Sequence, residues 1–335
     1  MITSHKYQNS KIYGMTILLL IIIGSLLLSG CGAKAAPKVY RVGVLSGLDF
    51  FADTADGFKA KMTELGYVEG QNIVYDIQKT NFDIPTYQRI LQKFVTDKVD
   101  LIFVFPTEAS LEAKAAVEGT NIPVLFANAN IEGVDLVDSV REPGGNITGV
   151  RYPGPDIAVK RFEFLHKLVP QAKRIWLPYQ RGYPIVTSQL EILRPVAAAA
   201  GVTLIESPAD NVAELEADLQ ARSQAADLGL DAILLIADPL VASPDTIALL
   251  GKFGAEHKVP IGGTATRGLF GLSTNSVAVG NQAAPLADKI FKGTPAGTIP
   301  VNSAESFLQI NYALAQQQGI TVPEGMLAQA DEIIR

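Results

Sequence analysis

Two hydrophobic spacings alternate along the chain. Residues 39–45, 72–77, 101–105 and 123–126 are short runs rich in β-branched and apolar side chains, the pattern of strands buried on both faces of a parallel sheet. Between the first two, Ala55, Phe58, Met62 and Leu65 recur at helical spacing, and Gly66 stands where a helix-ending glycine belongs. Tyr87, Ile90, Leu91, Phe94 and Val95 mark one face of a helix over 86–98, and another helix opens at Thr107. Strands that alternate with helices predict a doubly wound parallel sheet with right-handed crossovers.

Residues 141–150 interrupt this alternation with Pro143, Gly144 and Gly145, and a hinge is expected there. A second series then begins, with helices over 158–168, 188–200, 212–228 and 245–257 and strands over 174–178, 203–206, 232–237 and 259–262. Asn211 followed three residues later by Glu214 makes a capping-box start for the third of these helices. Ser243 before Pro244 does the same for the fourth. The expected fold class is α/β, with two doubly wound parallel-sheet lobes of similar size.

The N-terminus has a different pattern. Residues 15–28 are almost unbroken in apolar character and lead into Leu28-Ser29-Gly30-Cys31, with Lys6 and Lys11 before them. A run this short falls below the roughly 20 residues of a membrane-spanning helix but matches the core of a signal peptide. The small residues before Cys31 match the bacterial lipobox, so residues 1–30 are expected to be removed and Cys31 to carry acyl chains such as palmitate. Two or more chains suffice for stable anchoring. Residues 31–38 are then a tether, and the fold is expected to sit in the cell envelope, held to a membrane outside the cytoplasm.

Composition narrows the function. The chain has 335 residues and a net charge of −6, which lacks the basic surface needed to neutralise nucleic-acid phosphates. Cys31 is the single cysteine and the histidines are His5, His166 and His257, so neither a disulfide nor a zinc cluster is expected. Phosphate-loop, dinucleotide, nucleophile-elbow and metalloprotease motifs are missing from the sequence. The expectation is a binding protein, not an enzyme, with no cofactor and no metal.

In open parallel sheets ligands bind beyond the carboxyl ends of the strands. The loops so placed run over 46–53, 106–110, 128–130, 179–183, 238–241 and 264–271. They concentrate aromatic and amide side chains, the make-up of a small-molecule pocket. The candidate ligand residues are Ser46, Asp49, Phe50, Thr107, Glu108, Asn128, Asn130, Tyr179, Arg181, Asp238, Thr264 and Arg267. If the ligand is a zwitterion, Thr107 at a helix start, with Arg181 or Arg267, is placed to serve its carboxylate. Asp238, Glu108 or Asp49 is then the candidate for its ammonium.

Several stretches resemble one family. They are Val42-Gly43-Val44-Leu45-Ser46, Leu65-Gly66-Tyr67-Val68-Glu69-Gly70-Gln71-Asn72, Pro143-Gly144-Gly145-Asn146-Ile147-Thr148-Gly149, and Asn311 with Gly319-Ile320. Together they are similar to the ABC transporter substrate-binding lipoproteins that include binders of tryptophan and other aromatic amino acids. The resemblance implies a periplasmic binding protein-like fold of type I that closes on a small molecule and delivers it to a permease with its ATPase. It implies lobes formed by residues 39–150 with 275–300 and by 151–274 with 303–335, in a monomer. The chain departs from the family pattern at Asn128-Ala129-Asn130 and Tyr179-Gln180-Arg181, which leaves the ligand open. A ligand-sensing lipoprotein, or a carrier of an apolar cargo without an importer, is the alternative.

Overall fold

The strand Leu101–Phe105 shows how the first lobe is built. All five residues are buried, and they divide by parity between two cores. Leu101, Phe103 and Phe105 pack with Phe58 and Met62 of the helix Thr54–Glu64 and with Val279, Ala283 and Leu286 of the helix Ser276–Phe291. Ile102 and Val104 pack on the opposite face with Ile90, Leu91 and Phe94 of the helix Ile84–Thr96 and with Ala109 and Ala113 of the helix Thr107–Ala116. Alternate side chains therefore feed two helical layers, as strict two-residue periodicity requires.

The structure is a computed structural model that describes residues 38–264 and 268–335. Cys31, the proposed leader and Arg267 lie outside the described residues. The strands in chain order are β1 (Tyr40–Ser46), β2 (Ile73–Lys79), β3 (Leu101–Phe105), β4 (Val124–Ala129), β5 (Ile147–Arg151), β6 (Arg174–Gln180), β7 (Thr203–Ala209), β8 (Ala232–Leu234), β9 (Ile261–Gly263), β10 (Phe270–Thr274), β11 (Asn302–Ser303), β12 (Ser306–Asn311) and β13 (Glu332–Ile334). One sheet has the order β11-β5-β4-β3-β1-β2 and is parallel throughout. The other has the order β13-β12-β10-β9-β8-β6-β7 and departs from parallel pairing only between β10 and β12. Its two faces carry separate cores, with Ile175 and Leu177 on one side of β6 and Trp176 on the other.

The break at 141–150 is not where the chain passes between sheets. Residues 147–151 form β5, which lies inside the first sheet beside β4. Gly144 and Gly145 have positive φ and make the turn before β5, and a Cβ on Gly297 would meet the Gly145 carbonyl oxygen at 2.3 Å. This glycine cluster thus serves close backbone packing at the amino end of a strand. The chain changes sheets after β5, after β10 and between β11 and β12.

Helix starts follow the local signals. The Asn211 side chain accepts the Glu214 N–H at 3.1 Å, and Ser243 Oγ accepts the Thr246 N–H at 3.2 Å. Asp83, missed in the sequence, starts the helix Ile84–Thr96 two residues early by accepting the Thr86 N–H at 3.3 Å.

Candidate functional site

The carboxyl ends of the strands of both sheets converge on one cleft of about 670 Å³, part of it open to solvent. The first lobe contributes Leu48, Phe50 and Phe51 after β1, Phe82 after β2, Pro106 to Glu108 after β3, and Asn128 and Asn130 at the end of β4. From the second lobe come Tyr183, Ile185, Asp238 and Thr264. Tyr152 and Ser273, on either side of the crossings, complete the wall.

Asn128 is the joint of the site. A register shift in β4 at this point puts it at φ 49°, a left-handed conformation that asparagine tolerates better than most side chains. Its amide donates to the Thr54 hydroxyl at 3.0 Å and its carbonyl accepts from the Thr274 hydroxyl at 3.0 Å. Asn128 therefore ties the helix beginning at Thr54 to the end of β10, where the chain returns to the first lobe. Thr107 works in a similar way. Its hydroxyl accepts the Asn130 backbone N–H at 3.0 Å, and no side chain caps the start of the helix Thr107–Ala116.

A second contact crosses the cleft directly. The Tyr183 hydroxyl donates to Glu108 Oε1. Burial, then the Glu108 charge and this hydrogen bond, push the Tyr183 phenol well above its ordinary value. Glu108 Oε2 is buried without a hydrogen-bond partner. Asp238, on the other lobe, is 6% exposed. Its Oδ1 accepts the Val241 N–H at 3.0 Å, while Oδ2 has no donor in hydrogen-bond geometry. Burial raises the Asp238 carboxyl to about 6, against a partial pull downward from the amides of Val241, Gln180 and Leu240.

Of the residues singled out in the sequence, Phe50, Thr107, Glu108, Asn128, Asn130, Asp238 and Thr264 line this cleft. Phe50 sits at its rim, 62% exposed and packed edge-on against Phe51 at 5.0 Å. Four others lie elsewhere. Ser46 is fully buried at the end of β1, and Asp49 opens the short turn Asp49–Phe51 with its side chain outside the lining. Tyr179 belongs to β6, which runs on to Gln180, and its hydroxyl donates to Glu206 on β7 at 2.9 Å. Arg181 is held by Asp210 at 2.6 Å and Glu214 at 3.1 Å. Its guanidinium is thereby committed to the start of the helix Val212–Gln224, after β7. Phe82, Tyr152, Ile185 and Ser273 were missed, although the strand-end rule that selected the other loops applies equally to Phe82.

Tyr152 has support from behind. Arg161 is fully buried, and it donates to the Tyr152 hydroxyl at 2.6 Å and to the Leu272 carbonyl at 2.7 Å. No carboxylate is among these partners, and burial lowers the guanidinium from its ordinary value. The tyrosine ring is thus fixed in the cleft wall by a buried donor, a signal invisible in a helix whose other arginines and lysines read as surface.

With this geometry established, comparison with known proteins is decisive. The profile of the ABC transporter substrate binding proteins matches residues 43–334. The chain belongs to this family. A tyrosine-binding protein of Clostridioides difficile (strain R20291) is 30% identical over 257 residues, which cover 74% of this chain and 71% of the relative. A Streptococcus pneumoniae ABC domain solved in complex with L-Trp is 24% identical, with a TM-score of 0.76, over 89% of this chain and 100% of that one. A conserved domain protein of Vibrio cholerae O1 biovar El Tor is 25% identical, with a TM-score of 0.75, over 88% and 100%. The fold is periplasmic binding protein-like. As a substrate-binding member of this family the chain is extracytoplasmic. Among the described residues no helix is long and apolar enough to cross a membrane.

Proposed function

We propose that this protein captures an aromatic amino acid or a close analogue between its two lobes and delivers it to an ABC permease, while anchored to a membrane by lipid on Cys31. The observation that carries the reading is the lining of the cleft, which holds five aromatic rings (Phe50, Phe51, Phe82, Tyr152 and Tyr183) and two carboxylates with unpaired oxygens. Rings of the wall accept an aromatic side chain by offset or edge-on packing, and the unpaired oxygens accept an ammonium group. The tyrosine-binding relative supports the same ligand class. Closure follows if the ligand touches both lobes, because only differential affinity for the closed state shifts the equilibrium.

Thermal denaturation of the leaderless chain in the presence of each common amino acid tests this. L-tyrosine or L-tryptophan is expected to give the largest rise in melting temperature, since a ligand at about 100 times its Kd stabilises by about 2.7 kcal/mol. A screen in which neither raises it removes the reading. The anchor has its own test in fatty-acid labelling: the wild type takes up the probe and Cys31→Ala does not, and label retained by Cys31→Ala would refute it.

A further inference from the structure

Four hydrogen bonds close a circuit around two of the crossings between the lobes. The Asn128 side-chain carbonyl accepts from the Thr274 hydroxyl at 3.0 Å. One residue on, the Ala129 backbone carbonyl accepts the Tyr152 N–H at 2.8 Å. Arg161 Nη2 donates to the Tyr152 hydroxyl at 2.6 Å, and Arg161 Nε donates at 2.7 Å to the carbonyl of Leu272, on the same strand as Thr274. Tyr152 is thus held at both ends. Its backbone is tied to β4 of the first lobe, and its hydroxyl to the helix Gly154–Leu168, whose apolar face lies in the core of the second.

Arg161 is costly where it stands. It is fully buried, its Nη1 has no partner, and among the described residues no carboxylate pairs with it. A buried guanidinium without a counter-charge detracts from stability, and its neighbours on the buried face of the helix, Ile157, Ala158, Phe162 and Leu165, are apolar. Packing is served as well by a side chain of similar length without the charge. What the guanidinium adds is a planar fork of donors that reaches acceptors on two chain segments at once. Here those segments are two crossings, and one acceptor belongs to a ring of the cleft wall.

Resting on the reading of this cleft as an aromatic amino-acid site, we propose that Arg161 is a positioning residue for ligand capture, which fixes the Tyr152 ring in the cleft wall by tying two crossings together and acts on affinity through Tyr152. A ring fastened to both lobes changes its place with the angle between them. A ligand packed on it therefore favours one lobe angle over others, which is the differential affinity that closure needs. Without the bridge the ring must be ordered at the moment of binding, at a cost in affinity.

A double-mutant cycle on ligand affinity tests this. Isothermal titration with L-tyrosine and L-tryptophan is compared for the wild type, Tyr152→Phe, Arg161→Met and the double variant, with urea unfolding of each. Phenylalanine keeps the ring and removes the acceptor, whereas methionine fills the helix position without the charge. Each single substitution is expected to weaken binding about tenfold, or about 1.4 kcal/mol, and the double variant to be no weaker than either. Stability is expected to move differently. Tyr152→Phe lowers the urea midpoint by leaving the guanidinium a further unpaired donor, and adding Arg161→Met brings the midpoint back to the wild-type value or above. Stability regained without affinity regained is a result that a purely structural arginine does not give. Affinity losses that multiply in the double variant, an affinity that recovers with the midpoint, or Arg161→Met binding as the wild type does, each overturn the proposal. A wild type that binds neither amino acid overturns the aromatic amino-acid reading, and the proposal with it.

Discussion

Gly57→Ala is expected to lower the unfolding free energy by about 3 kcal/mol, and Gly251→Ala to raise it by up to about 1 kcal/mol. Both glycines are in helix interiors, where alanine is intrinsically the better residue. At Gly57 a Cβ would lie 2.1 Å from the Val277 carbonyl oxygen, and at Gly280, on the facing helix, 2.1 Å from the Thr54 carbonyl oxygen. These two glycines let the helices Thr54–Glu64 and Ser276–Phe291 touch backbone to backbone over the first sheet. A methyl group there has only backbone to displace, so overpacking outweighs propensity. At Gly251 nothing lies within 4 Å of the added atom, and propensity alone remains. Urea unfolding followed by circular dichroism gives both values. Equal signs for the two substitutions would contradict this account of the helix pair.

Asp238→Asn is expected to stabilise the ligand-free protein at neutral pH, the reverse of what most substitutions do. Burial lifts the Asp238 carboxyl from 3.8 to about 6, so the folded state holds its proton more tightly than the unfolded chain does. Between these two values the folded protein binds more protons, and its stability therefore falls as pH rises. The cost is small near pH 4, complete above about 6, and about 3 kcal/mol in size. Asparagine does not titrate. The variant and the wild type should therefore melt together near pH 4 and separate by up to that amount at pH 7 to 8, with the variant higher. Glu108 and Tyr183 face the same cleft, and substituting neither is needed for the comparison. A wild type as stable as the variant at pH 8 would show that the carboxylate is not strained by its surroundings. Stability given up at a binding site is a recurrent pattern in functional proteins, and an ammonium ligand would relieve it.

The elements were legible in the sequence because their signals are local. Parity within 101–105 and helical spacing from Ala55 to Met62 depend only on neighbours in the chain, and both describe what is built, whereas Leu65 falls at the end of the helix and is exposed. Long-range joins were not legible in the same way. Nothing near residues 141–150 shows that the glycines there pack against Gly297, so the turn before β5 and the crossing that follows it after Arg151 read as a single break. The antiparallel pairing of β12 with β10 likewise joins strands separated in the chain by the helix Ser276–Phe291 and β11, which belong to the first lobe. In the site, the strand-end rule located the cleft loops, whereas the fate of each side chain depended on partners distant in sequence. Arg181 is taken up by Asp210 and Glu214, Tyr179 by Glu206, and Asn128 by Thr54 and Thr274. Arg161 could not be found from the sequence at all, since burial of a guanidinium against a carbonyl and a phenol leaves no local trace.

The central claim is that one small aromatic ligand is held between the two lobes by groups from each. Crystallisation of the leaderless chain with whichever aromatic amino acid gives the largest thermal shift tests it most directly. The account predicts a single molecule in the cleft, its ring against Tyr152 and Tyr183 and its ammonium within hydrogen-bond distance of both Glu108 on the first lobe and Asp238 on the second. A ligand bound to one lobe alone, or seated away from these two carboxylates, would contradict it.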